Sequence, residues 1–435
     1  MKLKSFITTL GPPLLIAIAV ALSTLIPQAR ARIVLDGSYP AVVCPGAIGG
    51  GTERISLPAK NLSTRPVAGK NTALKVQKSL LLTGSTAPTF VSGNPGSEIA
   101  FISISGASTA DAVCEVGGID QWFIGGSAGV TSQGVLEIIN SGLSDSLVQV
   151  FPYSSKVALA PISVKIKANS AKDLPLSTLA PGEESIALHV VTESGRVSSY
   201  LLDHRKNGLN ELGASFVTPV EAPARTSYIS GLYGSATKAR STMRFLVPGN
   251  IKATVHLTIY SGGGVITPVG FDSLTIARQR VIDLPLPSIS LSTPFGIEVT
   301  SDQPIFASTL TTRTAGGRDF AWANALSPLS RFKINLAGAS AQFFFMGHSV
   351  AIKAQWFDSK GKANTAVITG DSSADWRPPG ALSTVIFTPL TKSALFGGAL
   401  IANSDGGLNY LPLLANQLIS RGQLPIADIR TLARH

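Results

Sequence analysis

"KDLPL" at 172–176 and "IDLPL" at 282–286 place the same four residues, Asp-Leu-Pro-Leu, 110 positions apart. The match is short, so its flanks decide what it means. Upstream of the first copy lies "VLEIINSGLSDSLVQVFPYS" (135–154), and upstream of the second "MRFLVPGNIKATVHLTIYS" (243–261). Each is an apolar strand, a turn built on Asn, Gly or Pro, and an alternating strand ending in Tyr-Ser. Nearer the motif, "ISVKIKANSAKDLPL" matches "DSLTIARQRVIDLPL" in pattern. Downstream, "SIALHVVTESGRVSSYLLDHR" (185–205) matches "PFGIEVTSDQPIFASTLTTR" (294–313). Ser127 and Ser235 lie 108 apart, as do Arg205 and Arg313, while Tyr153 and Tyr260 lie 107 apart. Loop-length changes account for the small differences, and the chain carries a tandem repeat of about 108 residues.

A third, eroded copy follows. "SVAIKAQWFDSKGKANTAVITG" (349–370) keeps the strand–turn–strand form and "GALIANSDGGLNYLPLL" (398–414) resembles the closing hairpin, but the DLPL segment is lost. Residues 33–118 read as a different, Cys-flanked set of short strands. Strict alternation in "LVQVF", "SVKIK" and "TVHLTIY" is the period of a half-buried strand, and Gly, Pro, Asn and Ser bound each run. Many short strands per repeat with no helical stretch between them point to antiparallel sandwiches. The fold class is therefore all-β: tandem immunoglobulin-like β-sandwich domains at 119–225, 226–330 and 331–435, the last divergent, preceded by the Cys-flanked β domain 33–118. The repeats read as semi-independent beads. Asp173, Leu174, Leu176, Asp283, Leu284 and Leu286 are structural landmarks, each Leu facing a core and each Asp near solvent.

Composition narrows the function. Charged residues are 14%, against about 25% in an ordinary soluble domain. The formal charge is +11, but Lys2, Lys4, Arg30 and Arg32 belong to the first 32 residues and leave +7 spread thinly. No Lys/Arg run tracks phosphates, so nucleic acid is not an expected partner. Residues 1–32 read as a signal peptide or an N-terminal membrane anchor. Two lysines precede "FITTLGPPLLIAIAVALSTLI" (6–26), and Ala29-Arg30-Ala31 has the small-x-small form of a cleavage site. Those 21 residues are long enough to span a bilayer, and the membrane is met only through them. The rest of the chain is expected on the outer face of the cytoplasmic membrane or secreted to the cell wall. An exported chain with two cysteines most simply joins them, here Cys44 to Cys114, and two free thiols are the other reading.

The layout resembles a family of uncharacterised exported actinobacterial proteins, some labelled "large extracellular alpha-helical protein". The resembling residues are Cys114, "DQWFIGGSAGV" (120–130) with Trp122, the strand ending at Asn140, the Val/Gln/Val strand at 148–150, "LAPGEESIALHVVTESGRV" (179–197) and the Asp-Gln-Pro-Ile-Phe-Ala turn at 302–307. Here "NSG" and "VPG" stand where that family tends to have Asn-Pro. The resemblance implies architecture and location, and carries no activity.

A search for chemistry returns little. "GGSAG" (125–129) matches the G-x-S-x-G nucleophile elbow, which works only where a strand runs into a helix; here turn and strand follow Ser127. His189, His204, His256, His348 and His435 form no H-E-x-x-H and no i, i+4 pair. "TGDSSAD" (369–375) is acidic but lacks the ligand spacing of a calcium loop. No cofactor, metal or catalytic residue is expected. Trp356 and Trp376, with Trp322 ahead of them, could stack on sugars through exposed ring faces; the other reading of each is core or inter-domain packing. The leading expectation is a non-enzymatic scaffold or accessory protein at the cell surface, with an envelope protein or polysaccharide as partner. The alternative is a carbohydrate- or wall-polymer-binding protein with its site in the last repeat.

Overall fold

The computed structural model describes residues 41–414, apart from 48–51, 58–59, 70–71, 93–99, 106–107, 157, 236, 288–293, 316–317, 337–339, 358–361, 381–383 and 403–406. The signal or anchor segment 1–32 lies outside these residues. The described strands belong to one compact unit, Tyr39–Leu418. Among the described residues no helix is long and apolar enough to cross a membrane, and the one helix is the single turn Leu176–Leu179.

The strands form four two-sheet sandwiches, all pairs antiparallel, each built from eight strand positions in chain order. In the second sandwich one sheet runs Ile162–Ile166, Ser146–Ser154, Ile186–Ser194, Asp120–Phe123. The facing sheet runs Ser170–Pro175, Val135–Asn140, Ser198–Asn207, Asn210–Val217. Positions four, three, six and one thus face positions five, two, seven and eight. The same order holds in the first sandwich (Ala41–Cys44 to Ser108–Val113), the third (Ala224–Leu232 to Phe320–Asn324) and the fourth (Phe332–Asn335 to Leu408–Pro412). In the third, positions six and seven fuse into one strand, Phe295–Arg313. Its first half pairs with Ala253–Ser261 and its second with Ala239–Leu246. The Cys-flanked N-terminal strands, different in sequence, therefore share the repeat's topology. The sandwiches are immunoglobulin-like in having two antiparallel sheets packed on a shared core. Three meets six and two meets five as in the immunoglobulin order. Here, however, positions one and four flank the three-six pair and seven, with eight beyond it, lies beside two, whereas the immunoglobulin order sets the first and fourth strands with the second and fifth and the seventh beside the sixth.

Alternation builds each core. In Ser146–Ser154 every second residue is buried, and Val148 and Val150 meet Leu136, Ile138 and Leu201 of the facing sheet. The DLPL landmarks sit on the fifth strand. Leu174 lies opposite Leu136 and Asp173 opposite Glu137; Leu284 lies opposite Met243 and Asp283 opposite Arg244. Leu176 is fully buried, whereas Leu174, Leu284 and Leu286 are partly buried against the cores. In the fourth sandwich Asp375 lies opposite Phe344 and Trp376 opposite Phe343. The motif is thus rewritten there as Asp375-Trp376, with Trp376 in the place of Leu174 and Leu284. Cys44 and Cys114 are joined by a disulfide, Cα–Cα 4.4 Å, which ties the first strand of the first sandwich to the residue after its last.

Beads on a string would have closed cores, and these are open. The core of the first sandwich includes Ile139, Tyr200, Leu202 and Phe216 of the second. The core of the second includes Phe320 and Trp322 of the third, and that of the third includes Leu400, Leu408 and Tyr410 of the fourth. Val113, on the last strand of the first sandwich, packs against the core of the fourth. Asn335 Nδ2 also donates to Leu57 O across that contact at 2.9 Å. Each sandwich is sealed by the outer sheet face of the next, and the fourth by the first. The four eighth strands meet in a cycle: 108–113 against 210–217, 210–217 against 320–324, 320–324 against 408–412, and 408–412 against 108–113. A head-to-tail interface whose rotation closes makes a ring, and here the ring is made within one chain.

Two outcomes follow. Leu176→Ala removes a fully buried side chain and is expected to cost about 2–5 kcal/mol; calorimetry of the full chain should show one lowered transition, because the cluster around Leu176 is shared with the third sandwich. Two transitions, one unshifted, would restore the bead picture. Cys44→Ser opens a 70-residue link and is expected to cost about 4 kcal/mol in the chain-entropy model, read as a shifted urea midpoint; an unmoved midpoint would contradict this.

Candidate functional site

The seams between sandwiches concentrate the buried polar chemistry. On the second strand, one outward position recurs as Glu137, Arg244 and Phe344, each opposite the landmark Asp. At the first seam the Glu137 carboxylate accepts from Gly46 N at 2.9 Å. Beside it Tyr200 Oη donates to Val43 O at 2.5 Å and accepts from Glu115 N at 2.6 Å. Burial lifts the Glu137 carboxyl to about 7 and Glu115 to about 8.

At the second seam the position is Arg244, 2% exposed. It grips Asp283 with both ends of its fork, Nε–Oδ1 and Nη2–Oδ2 each 2.7 Å. Its Nη1 donates across the seam to Gly126 O at 2.6 Å and Ile186 O at 2.9 Å, and its guanidinium lies 4.7 Å from the Trp322 ring. Ser185 Oγ donates to Asp283 at 2.7 Å. On the other side Trp322 Nε1 donates to the fully buried Asp203 at 2.8 Å, and Asp203 also holds Arg205. Burial alone would raise the Asp283 carboxyl, but the Arg244 charge and hydrogen bonds hold it below the usual range. Asp283 was expected near solvent as a passive landmark. It is instead the counter-ion of a buried guanidinium, while Asp173 is exposed. By alternation Arg244 falls on the face of Arg240, which is exposed, and Thr242, which is part-buried, so nothing in the sequence signals that a neighbouring sandwich covers it.

At the third seam the position is Phe344, whose carbonyl accepts from Ser230 Oγ at 2.9 Å. Gly231, at φ +83°, abuts Gly398; a Cβ on Gly398 would come within 2.0 Å of Ser230 O. No side chain fits there.

The four last strands meet at a hub. Asp319 is buried, its Oδ1 accepting from Ala214 N (3.3 Å) and Phe320 N (2.9 Å) and its Oδ2 from Leu408 N (2.7 Å). One carboxylate thus stitches the second, third and fourth sandwiches. Thr109 of the first is hydrogen-bonded to Asn409 of the fourth at 2.9 Å.

The residues singled out from the sequence go elsewhere. Trp122 is buried, stacked on His189 at 3.7 Å and against Phe306 of the third sandwich at 4.7 Å. His189 also bonds Asp120 at 2.8 Å. Ser127 Oγ bonds Glu184 at 3.1 Å and accepts from Gly129 N at 3.2 Å, inside a seam loop. Trp356 is 8% exposed and meets Trp376 edge-on at 5.2 Å; Trp376 also packs on Phe343 and Phe387. Trp356 thus lies within the fourth core, while Trp376 is partly buried and packs at its edge. Trp322, ahead of them in the sequence, is a seam anchor. Among the described residues no group of three or more His, Cys, Asp or Glu is placed to hold a metal.

Arg244→Met leaves Asp283 without its partner, and Asp283→Ala leaves a buried guanidinium unpaired. Each is expected to cost about 3–5 kcal/mol, and Arg244→Met with Asp283→Leu to recover much of it, as replaced buried ion pairs do. Urea melts of the four proteins measure this; additive losses would mean the pair is not coupled. Because Asp283 is depressed, its contribution should be present above about pH 4 and lost as pH falls through its folded value.

Comparison with curated proteins gives no match. Among solved structures, one described as a tetra-tandem repeat in the extending region of a large adhesion protein is 11% identical over 84% of this chain and 91% of that one, with a TM-score of 0.12. At that score the likeness carries neither fold nor function, which rest on the sheets above. A family model, "Family of unknown function (DUF5719)", matches residues 93–379. That span covers most of the second to fourth sandwiches and well over half of the chain, so the protein belongs to the DUF5719 family.

Proposed function

We propose that the chain is exported and serves, without chemistry of its own, as a ring-shaped scaffold or accessory protein of the cell envelope, with an envelope protein or polysaccharide as its partner. The observation that carries this reading is that the polar side chains suited to chemistry are engaged within the fold. Ser127 is held by Glu184, His189 by Asp120 and Trp122, His204 by Glu211, and Arg244 by Asp283. The Cys44–Cys114 disulfide supports export, because such bonds persist in oxidising compartments. The N-terminal apolar segment and the resemblance to exported actinobacterial proteins agree with it.

Labelling of intact cells with a membrane-impermeant amine reagent is the test. The reagent should modify the folded chain, and chemical crosslinking in the same cells should recover it joined to an envelope component. Labelling only after lysis would overturn the location, and a hydrolytic activity lost in Ser127→Ala would overturn the non-enzymatic role.

A further inference from the structure

Asp111 stands on the last strand of the first sandwich, at the hub. It is 7% exposed, and among the described residues neither carboxyl oxygen has a hydrogen-bond partner. Its strand lies against 210–217 and 408–412. The nearby Asp319 carboxylate, by contrast, takes three backbone N–H donors; burial lifts it to about 7 despite them, so it is an anion above neutral pH. Among the described residues, the groups facing Asp111 supply no cation. From 408–412 come Asn409 and Tyr410; from 210–217 the single acid Glu211, at the far end with His204 and Lys206. Its own neighbour strand, 100–105, has no ionisable residue. Arg313 acts on Asp319. A charged Asp111 would therefore be an unpaired anion beside a second anion, in the contact that closes the ring.

We infer that Asp111 is a proton-dependent latch: protonated, it lets the first sandwich close on the second and fourth, and on losing its proton it loosens that closure. Burial, then the charge of Asp319, raise the Asp111 carboxyl to about 8. An acid in an unfolded chain titrates near 4. The stability tied to this proton is thus fully present below about pH 4 and lost as pH rises through about 8. The latch holds in acidic surroundings and eases in neutral to alkaline ones. Glu53 at the first seam and Asp319 at the hub are related cases, buried and lifted to about 8 and about 7, so a global melt would mix several groups, and the readout must be local and set Asp111 variants against the parent.

Hydrogen exchange of the full-length protein, followed by mass spectrometry between pH 6 and 9 and corrected for the intrinsic pH dependence, gives that readout. Peptides over 108–113, 210–217 and 408–412 in the parent should lose protection at least tenfold from pH 6 to pH 9. Asp111→Asn should abolish most of that loss at the hub while leaving peptides at the third seam (224–232, 340–347) as in the parent. Asp111→Val is a second neutral variant in case the amide disturbs packing. An unchanged loss in either folded variant, or no loss in the parent, would overturn the latch. Restoration of protection at pH 9 by millimolar calcium would overturn it too, by showing that a cation rather than a proton neutralises the pair.

Discussion

The structure depends on one geometric constraint: no sandwich can close its own core. Each pair of sheets leaves an opening that is filled by the outward face of the following sandwich's five-two-seven-eight sheet. Apolar area hidden this way stabilises by about 25 cal/mol per Å², and the large side chains concerned, such as Trp322, Phe320, Tyr200 and Tyr410, belong to two bodies at once. The repeats are therefore not interchangeable beads. Each holds a donor face for the sandwich before it and an opening for the one after it.

Equivalent geometry at the seams has been met with different chemistry. Glu137, Arg244 and Phe344 occupy one structural position. Phe344 is apolar, and its seam is tuned by the approach of Gly231 and Gly398. Arg244 is charged, which is tolerable only because Asp283, two carbonyls and an aromatic ring surround it. Glu137 stands beside other acids and remains soft towards protons. Sequence divergence at this one position gives each seam its own chemistry, an acid, a paired guanidinium and an aromatic ring in turn.

The fold was legible where backbone register is written in side chains. Asp-Leu-Pro-Leu returns because the fifth strand meets the second in the same register twice, Leu174 against Leu136 and Leu284 against Met243. The fourth copy was harder to see, since Trp376 does the work of those leucines and Asp375 had been absorbed into an acidic turn. Kinship of the first sandwich was hidden by strands as short as Lys75–Val76 and Leu81–Thr83, too brief to show a period. The seams were not legible. Outward residues of a strand look the same in sequence whether water or another domain covers them, and Trp356 and Trp376 look the same in a core as on a platform. The disulfide needed no geometry, only two cysteines and an N-terminal segment that reads as an export signal.

Closure between the first and fourth sandwiches also bears on how the chain is made. Thr109 and Asn409, which meet at the hub, are 300 residues apart. At about 5–20 residues per second of synthesis, the first sandwich waits on the order of tens of seconds before its last neighbour exists, with Val113 and the hub face of its final strand uncovered. Contacts between distant parts of a chain form slowly. A nascent chain thus passes through an open arc whose leading edge is adhesive, able to receive the trailing sandwich of its own chain or of another. Dilution and rapid delivery of the whole chain favour the single-chain ring, whereas crowding of unfinished chains favours domain-swapped ones.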